Sequence, residues 1–100
     1  MIYLIQLIYV REGSEAVFHS FEDAVLPLLS KYRGELLLRL RPGETSRIGG
    51  SEDTPYEIHV VRFESDDDLG RYSNDEERQR LLPLKDQSVR NALLIKGTSA

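Results

Sequence analysis

Isolated polar side chains inside apolar segments are the residues of this sequence that could do chemistry. Gln6, Arg39 and His59 are each flanked by apolar residues. A guanidinium group offers a planar fork of donors that suits an anionic or enolate oxygen, and an imidazole exchanges a proton near neutral pH. We therefore predict a site in which His59 is the base, Arg39 stabilises negative charge and Gln6 fixes a substrate carbonyl.

Strand alternation decides which side chains share this site, because successive residues of a strand point to opposite faces. Glu57, His59 and Val61 fall on one face of a predicted strand, and we expect that face to line a cavity. Ile58 and Val60 fall on the other face, which we expect to meet the helices. Glu57 and Val61 are thus further predicted ligand contacts, and Glu57 is predicted to lie too far along the strand to orient His59.

The same residues also allow a structural interpretation. Arg39 and Glu57 could form an ion pair across neighbouring strands or between subunits, and His59 could be a sheet residue with satisfied hydrogen bonds. Clustered polar groups in an interface can fix register and partner choice without any catalytic role. The sequence leaves both interpretations open.

Other clusters of charged residues have structural explanations. His19 and Asp23 lie four residues apart on a predicted helix and can touch, but the sequence offers no third ligand to complete a metal site. The run Asp66, Asp67 and Asp68 follows a serine and is predicted to cap a helix. We therefore predict neither a metal nor a cofactor.

The hydrophobic pattern predicts the element order β-α-β-β-α-β. Apolar residues recur at helical spacing from Val17 to Tyr32, and a second helical region follows Ser65. Residues 42–55 are predicted to form a polar loop, and the strand-like segments are residues 1–10, 35–41, 56–64 and 91–96. This order predicts a ferredoxin-like α+β sandwich, in which both helices cover one face of an antiparallel sheet.

Proline and glycine positions predict where the helices bend and end. Pro27 is expected to kink the first helix near Asp23 without dividing it, and Gly34 is expected at its C-cap. Pro83 is expected to end the second helical region.

Two further groups of side chains can be placed on a surface. Arg78 and Arg80 are predicted to pair with neighbouring Glu residues. On the second strand, regular alternation assigns Leu36, Leu38 and Leu40 to one face, and Leu37, Arg39 and Arg41 to the other.

The first strand is apolar on both of its faces, although the helices can cover only one. Tyr3, Ile5 and Leu7 fall on the face opposite Ile2 and Leu4. An uncovered apolar face of several hundred Å² is unusual on a monomer. We therefore predict a two-fold homodimer with its sheets face to face.

Composition excludes several classes of function. The 100 residues carry a net charge of −4, which argues against a nucleic-acid partner, and they include no Cys, which excludes disulfides and thiolate metal sites. The apolar residues 1–10 are too short to span a membrane and lack the basic start of a signal peptide. We expect a cytoplasmic protein with one domain over residues 1–97, a tail over 98–100 and no membrane partner.

The sequence resembles the dimeric α/β-barrel superfamily, and in particular a branch of small single-domain members. The segments that carry the resemblance are FHSFEDAVLPLLSKYRG (18–34), FESDDDLGRYSNDEERQ (63–79) and LIKG (94–97). The resemblance implies a homodimer whose two sheets form a shared barrel with a cavity. Because the superfamily includes antibiotic-biosynthesis monooxygenases, muconolactone isomerases and haem-degrading enzymes, it implies a fold and no single activity.

Three functions remain open at this stage. The first is a homodimer that binds a small, mostly apolar molecule, with or without an anionic group, in its barrel. The second is a cofactor-free monooxygenase or isomerase acting on such a molecule, and the third is a structural or regulatory dimer without a ligand. A cavity of roughly 300 Å³ or more, lined by Gln6, Arg39 and His59, would favour binding.

Overall fold

The computed structural model describes residues 1–99 of the chain, and Ala100 of the predicted tail lies outside the described residues. Four strands, three α-helices and two short 3₁₀ helices follow one another along the chain. They are β1 (Ile2–Val10), α1 (Glu15–Val25), a 3₁₀ helix (Leu26–Tyr32), β2 (Gly34–Leu40), a 3₁₀ helix (Glu44–Ser46), β3 (Glu57–Phe63), α2 (Asp66–Ser73), α3 (Glu76–Ser88) and β4 (Val89–Thr98).

The strands form one antiparallel sheet in the order β2-β3-β1-β4. The helices lie on one side of it, so the predicted ferredoxin-like α+β fold is confirmed. Strand β4 starts two residues before the predicted segment and ends two residues after it, because Val89 pairs with Val10 and Thr98 pairs with Ile2. Among the described residues, no helix combines the length and the apolar character that a membrane crossing needs.

The core lies between the first helical region and the middle of the sheet. Its buried members include Leu4, Leu29, Val61 and Phe63. Gly34 lies against Phe63 so closely that a Cβ at this glycine would come within 2.7 Å of the ring atom Cε1. Glycine is therefore required at this position for a close approach between β2 and β3.

The first helical region changes its character at Leu26, rather than kinking near Asp23. The α-helix ends at Val25 and a 3₁₀ helix continues directly, with Pro27 at its second residue. Pro27 lies in the first turn of this 3₁₀ helix, where backbone N–H groups have no partner within the helix, so its missing N–H costs no hydrogen bond there. The predicted C-cap at Gly34 was wrong, because Arg33 takes the left-handed conformation at φ 56° and Gly34 begins β2.

A β-bulge at Leu37 reverses the alternation along β2. Leu36 pairs with Val61, but Leu38 pairs with Val60, so one extra residue stands between the two pairs. Leu38 therefore points away from the helices, and Arg39 points toward them. The regular alternation predicted for this strand was wrong from Leu37 onward.

Two capped helices follow β3. Ser65 Oγ accepts a hydrogen bond from the Asp68 backbone N–H at 3.2 Å, which confirms the predicted cap. Asp75 caps α3 in the same way by accepting from the Arg78 N–H at 2.9 Å. The prediction that Pro83 ends this region was wrong: α3 continues to Ser88, with Pro83 exposed inside it, and packs against α1.

The face of the sheet away from the helices, called the open face below, carries a patch of partly exposed apolar side chains. Its exposed members, with their exposed fractions, are Ile5 (37%), Leu38 (46%), Leu40 (45%), Leu93 (43%) and Ile95 (55%). No part of residues 1–99 covers this patch. The prediction of an apolar open face is confirmed.

Candidate functional site

The predicted site residues lie between the sheet and the helices, not on the open face. Glu57, His59 and Val61 are buried, and Gln6 pairs with His59 across β1 and β3 on the same side. The face predicted for these residues was therefore wrong. A two-residue period alone cannot tell which face of a strand meets the helices, since the opposite assignment fits the alternation equally well.

A buried ion cluster occupies one end of this layer. Arg39 Nε donates to Glu57 Oε1 at 2.8 Å, and its Nη2 donates to Oε2 at 3.2 Å. Arg41 Nε donates to Glu57 Oε2 at 2.9 Å. His59 Nε2 lies 2.7 Å from Glu57 Oε1. The sequence-based expectation that Glu57 cannot reach His59 was wrong, because residues two apart on one strand share a face and both side chains turn toward each other.

These contacts set the charges of the cluster. Burial raises the pKa of Glu57, but the hydrogen bonds from Arg39, His59 and Arg41 outweigh it and lower the pKa to about 2. Burial lowers the pKa of His59, with the Glu57 hydrogen bond acting in the opposite direction. At neutral pH the cluster is thus a carboxylate held by two guanidinium groups and a neutral imidazole, as in the structural interpretation of Arg39 and Glu57.

A pocket of about 70 Å³ lies beside this cluster, between α1, α3 and the sheet. Its walls are mainly apolar and include Phe18, Phe21 and Val61. The polar side chains that line it are Gln6, Glu22, His59, Tyr72, Arg78 and Lys85. The pocket is smaller than the roughly 300 Å³ that would favour binding, and Arg39 does not line it, since its guanidinium group is turned to Glu57.

Glu22 is the one carboxylate that lines this pocket within residues 1–99. Its exposed fraction is 6%, and its carboxyl group forms no ion pair in that range, although its oxygens are not fully enclosed. Burial raises the pKa of Glu22 to about 7, although nearby Arg39, Lys85 and Arg78 act to lower it. A carboxyl group with this pKa is divided between its protonated and ionised forms near neutral pH, which suits proton exchange.

The sequence analysis did not identify Glu22, although helical spacing places this residue on the buried side of α1. Phe18, Phe21 and Val25 form the apolar stripe of α1, and Glu22 falls inside that stripe at the spacing i, i+3, i+4 and i+7. A charged residue on the buried stripe of an amphipathic helix indicates either an ion pair or a site. The absence of an ion pair for Glu22 within the described part of the chain favours the second.

Other predicted contacts were only partly correct. Arg78 was expected to pair with Glu at the surface, but its guanidinium group lies over the Tyr72 ring, 5.0 Å from the centroid. His19 does not contact Asp23; its Nε2 lies 2.6 Å from Tyr56 Oη. The residues described contain no group of three or more side chains that could hold a metal ion.

Comparison with known proteins supports the fold and assigns no activity. No protein-family model matches the sequence, and no curated protein matches it. Similar solved structures include a protein of unknown function, RPA0582 from Rhodopseudomonas palustris, with a TM-score of 0.85 and 11% identity over 99% of this chain and 82% of that chain. Protein Atu4242 from Agrobacterium tumefaciens has a TM-score of 0.71 and 23% identity over 100% of this chain and 94% of that chain.

A third similar structure is described as a dimeric ferredoxin-like protein of unknown function from Jannaschia sp. CCS1. Its TM-score is 0.73, with 18% identity over 98% of each chain. These likenesses confirm the ferredoxin-like fold that the resemblance implied. Because unrelated chemistries share this fold, any function must be argued from the pocket itself.

Proposed function

We propose that this chain binds a small, largely apolar molecule in the pocket between its helices and its sheet. The observation that carries the proposal is Glu22, a largely buried carboxyl group that lines the pocket and forms no ion pair in residues 1–99. Withdrawing a carboxyl group from water without an opposite charge beside it is costly. A ligand that hydrogen-bonds to this group would offset that cost.

The rest of the pocket has the composition of a binding site. Such sites have mostly apolar walls and a few polar groups that fix orientation. Here Gln6 offers an amide, His59 an imidazole and Tyr72 a hydroxyl, among walls of Phe, Leu and Val side chains. A volume of about 70 Å³ limits the ligand to a few non-hydrogen atoms.

The proposal can be tested by NMR titration with a panel of small neutral and acidic organic molecules. The blocking variant is Ala92→Phe, because Ala92 is exposed on edge strand β4 and lines the pocket. The matched control is Thr98→Phe, on the same side of the same strand but outside the pocket lining.

We expect panel members to shift amide signals of α1 and β3, and we expect Ala92→Phe to weaken this binding at least tenfold. Thr98→Phe should bind as the unmodified protein does. The proposal fails if no panel member binds, or if both variants bind equally well.

The same proposal includes a homodimer joined through the open face. Leu38, Leu93 and Ile95 would be covered by the matching residues of a second copy, which removes an apolar patch from water. A similar structure is described as dimeric, which supports self-association. The ligand pocket lies within one chain, so each copy would carry its own site.

A second candidate function, proton transfer as in an isomerase, is favoured by the Glu22 pKa of about 7. Glu22 carboxylate would remove a proton from the carbon next to a carbonyl group held by Gln6, and would return it to the same carbon or to its neighbour. Glu22 replaces His59 as the candidate base, because His59 Nε2 is engaged by Glu57. We expect the protein to exchange the α-protons of a bound small ketone with D₂O, and Glu22→Gln to lose that exchange.

A further inference from the structure

Helix α3 brings two cationic side chains to the pocket. Arg78 and Lys85 both line it, and they stand seven residues apart on the helix. Seven residues are close to two helical turns, so both side chains leave the same side of α3, with their Cα atoms about 10 Å apart. The pocket therefore has a cationic wall opposite the sheet.

Neither cation is neutralised within the part of the chain that the structure describes. Arg78 and Lys85 make no ion pair with a carboxylate in residues 1–99, whereas Arg39 pairs with Glu57 and Lys31 with Asp75. Arg78 Nε is in addition buried without any hydrogen-bond partner in that range. A buried N–H donor without a partner is rare in native proteins and indicates a missing acceptor.

The position of Arg78 is fixed although its Nε donor is unused. Its guanidinium group lies over the Tyr72 ring at 5.0 Å, and its Nη1 donates to the Ser73 carbonyl at 3.4 Å. Such a stacked guanidinium group is held in place before a ligand arrives, which lowers the entropy cost of binding.

The other charged groups near the pocket are not available to bind an anion in place of Arg78 and Lys85. Arg39 was the sequence-based candidate for an anion contact, but Glu57 takes its Nε and Nη2 donors. Glu22 faces the same space, and its raised pKa leaves it largely protonated below pH 7. A ligand anion would thus meet two unpaired cations and a carboxyl group able to donate a hydrogen bond.

From this arrangement we infer that the ligand is a small organic acid, whose carboxylate or enolate oxygen contacts Arg78 and Lys85 while its apolar part lies against Phe18, Phe21 and Val61. This inference rests on the proposed function, since it names the chemical class of the molecule in the same pocket. It assigns specificity to two residues of α3.

The inference can be tested with three carboxylic acids of increasing size, acetate, propionate and isobutyrate, and with the neutral amide of each. Dissociation constants are measured by NMR titration of the full chain at constant ionic strength. The variants are Arg78→Gln and Lys85→Gln, each with a charge-preserving partner, Arg78→Lys and Lys85→Arg. Arg80→Gln is the matched control, because Arg80 is exposed on the same helix and does not line the pocket.

We expect at least one acid to bind at least tenfold more tightly than its amide, with signal changes at pocket residues. Arg78→Gln and Lys85→Gln should each raise the dissociation constant of that acid at least fivefold. The charge-preserving variants should recover part of this loss of affinity, and Arg80→Gln should leave the affinity unchanged. Circular dichroism of each variant shows whether its fold is kept.

Two outcomes would overturn the inference while sparing the proposed function. In the first, each amide binds as tightly as its acid at the same residues, so charge plays no part. In the second, an acid is preferred but Arg78→Gln and Lys85→Gln bind it as the unmodified protein does. If no acid and no amide binds, the inference fails, and the proposed function then depends on the Ala92→Phe comparison with the wider panel.

Discussion

Arg39 Nε donates a hydrogen bond to Glu57 Oε1 at 2.8 Å, and this contact joins β2 to β3 on the helix-facing side of the sheet. Glu57 is 1% exposed and also accepts from Arg41 and His59. Glu57→Gln would remove the carboxylate that both guanidinium groups share, although Arg39 would keep Asp23 within 4.0 Å. Because Arg39 and Arg41 are partly exposed, we expect the free energy of unfolding at pH 7 to fall by about 2–3 kcal/mol, less than for a fully buried pair.

The pH dependence of this loss follows from the Glu57 pKa of about 2 in the folded chain, against 4.5 for an ordinary Glu. The stabilisation is complete above pH 4.5 and disappears as the pH falls toward 2. Urea denaturation at pH 7 and pH 3.5 should therefore show a smaller difference at the lower pH. Glu35→Gln, which removes an exposed partner of Arg62, is the control and should change stability little.

Glu22→Gln should make the protein more stable at alkaline pH. The folded chain holds this proton up to a pKa of about 7, whereas an unfolded Glu releases it near 4.5. The unfolded state then binds fewer protons between these values, so stability falls as the pH rises through this window. The variant removes that penalty, which is about 3 kcal/mol at pH 8.

The measurement for Glu22→Gln is urea denaturation at pH 5 and pH 8, at one protein concentration. Glu12→Gln is the control, since Glu12 is exposed. A gain for Glu22→Gln that is the same at both pH values would contradict the raised pKa.

Gly34→Ala should destabilise the protein through its contact with Phe63. The added Cβ would meet the ring at 2.7 Å and the Leu29 carbonyl oxygen at 3.1 Å. Overpacking of this kind costs about 1–3 kcal/mol. Gly43→Ala is the control because no atom lies within 4 Å of its Cβ position. Equal thermal midpoints for the two variants would show that the β2–β3 contact tolerates the extra atom.

Leu38→Glu should separate the proposed dimer. Leu38 belongs to the open face, and a carboxylate at this position would be buried against a second copy without a partner. Sedimentation equilibrium at micromolar concentration should give the mass of two chains for the unmodified protein and of one chain for the variant. Ile48→Glu, at a fully exposed loop position, should leave the mass unchanged. A single-chain mass for the unmodified protein would contradict the proposed dimer but not the proposed binding pocket, which lies within one chain.

The order of elements could be predicted because each strand and helix has a regular hydrophobic period. Val17 to Tyr32 repeats at helical spacing, and residues 56–64 alternate. The cap at Ser65 could be predicted because a serine three residues before an acidic residue is a common pattern at the start of a helix. These features depend on neighbours in the sequence, and the structure confirms them.

Features that depend on tertiary contacts could not be predicted in the same way. The choice of face for Glu57 and His59 is decided by where the helices pack, and the alternation alone fits either choice. Pro83 is tolerated inside α3, a helix that packs against α1. The left-handed Arg33 closes the 3₁₀ helix, and its side chain pairs with Asp68 and Glu64, which come from a later part of the chain.

The sequence placed the candidate strand residues on the wrong face of the sheet, and it did not identify the candidate residues on the helices. Gln6, His59 and Val61 do line the pocket, but the groups with unpaired charge are Glu22, Arg78 and Lys85. Their role depends on the absence of ion-pair partners in residues 1–99, and a sequence does not show which charges remain unpaired.

The extra residue at Leu37 has a consequence for how this chain tolerates insertions and deletions. Because Leu37 has no partner on β3, deleting it would leave Leu38 opposite Val60 and Arg39 opposite His59, and would remove only the bulge. If the bulge closed while every residue was kept, Leu38 would fall opposite His59, and Arg39 would turn outward, away from Glu57. The bulge therefore absorbs one surplus residue while the guanidinium group stays inside, and related chains that are one residue shorter here should keep the contact with Glu57.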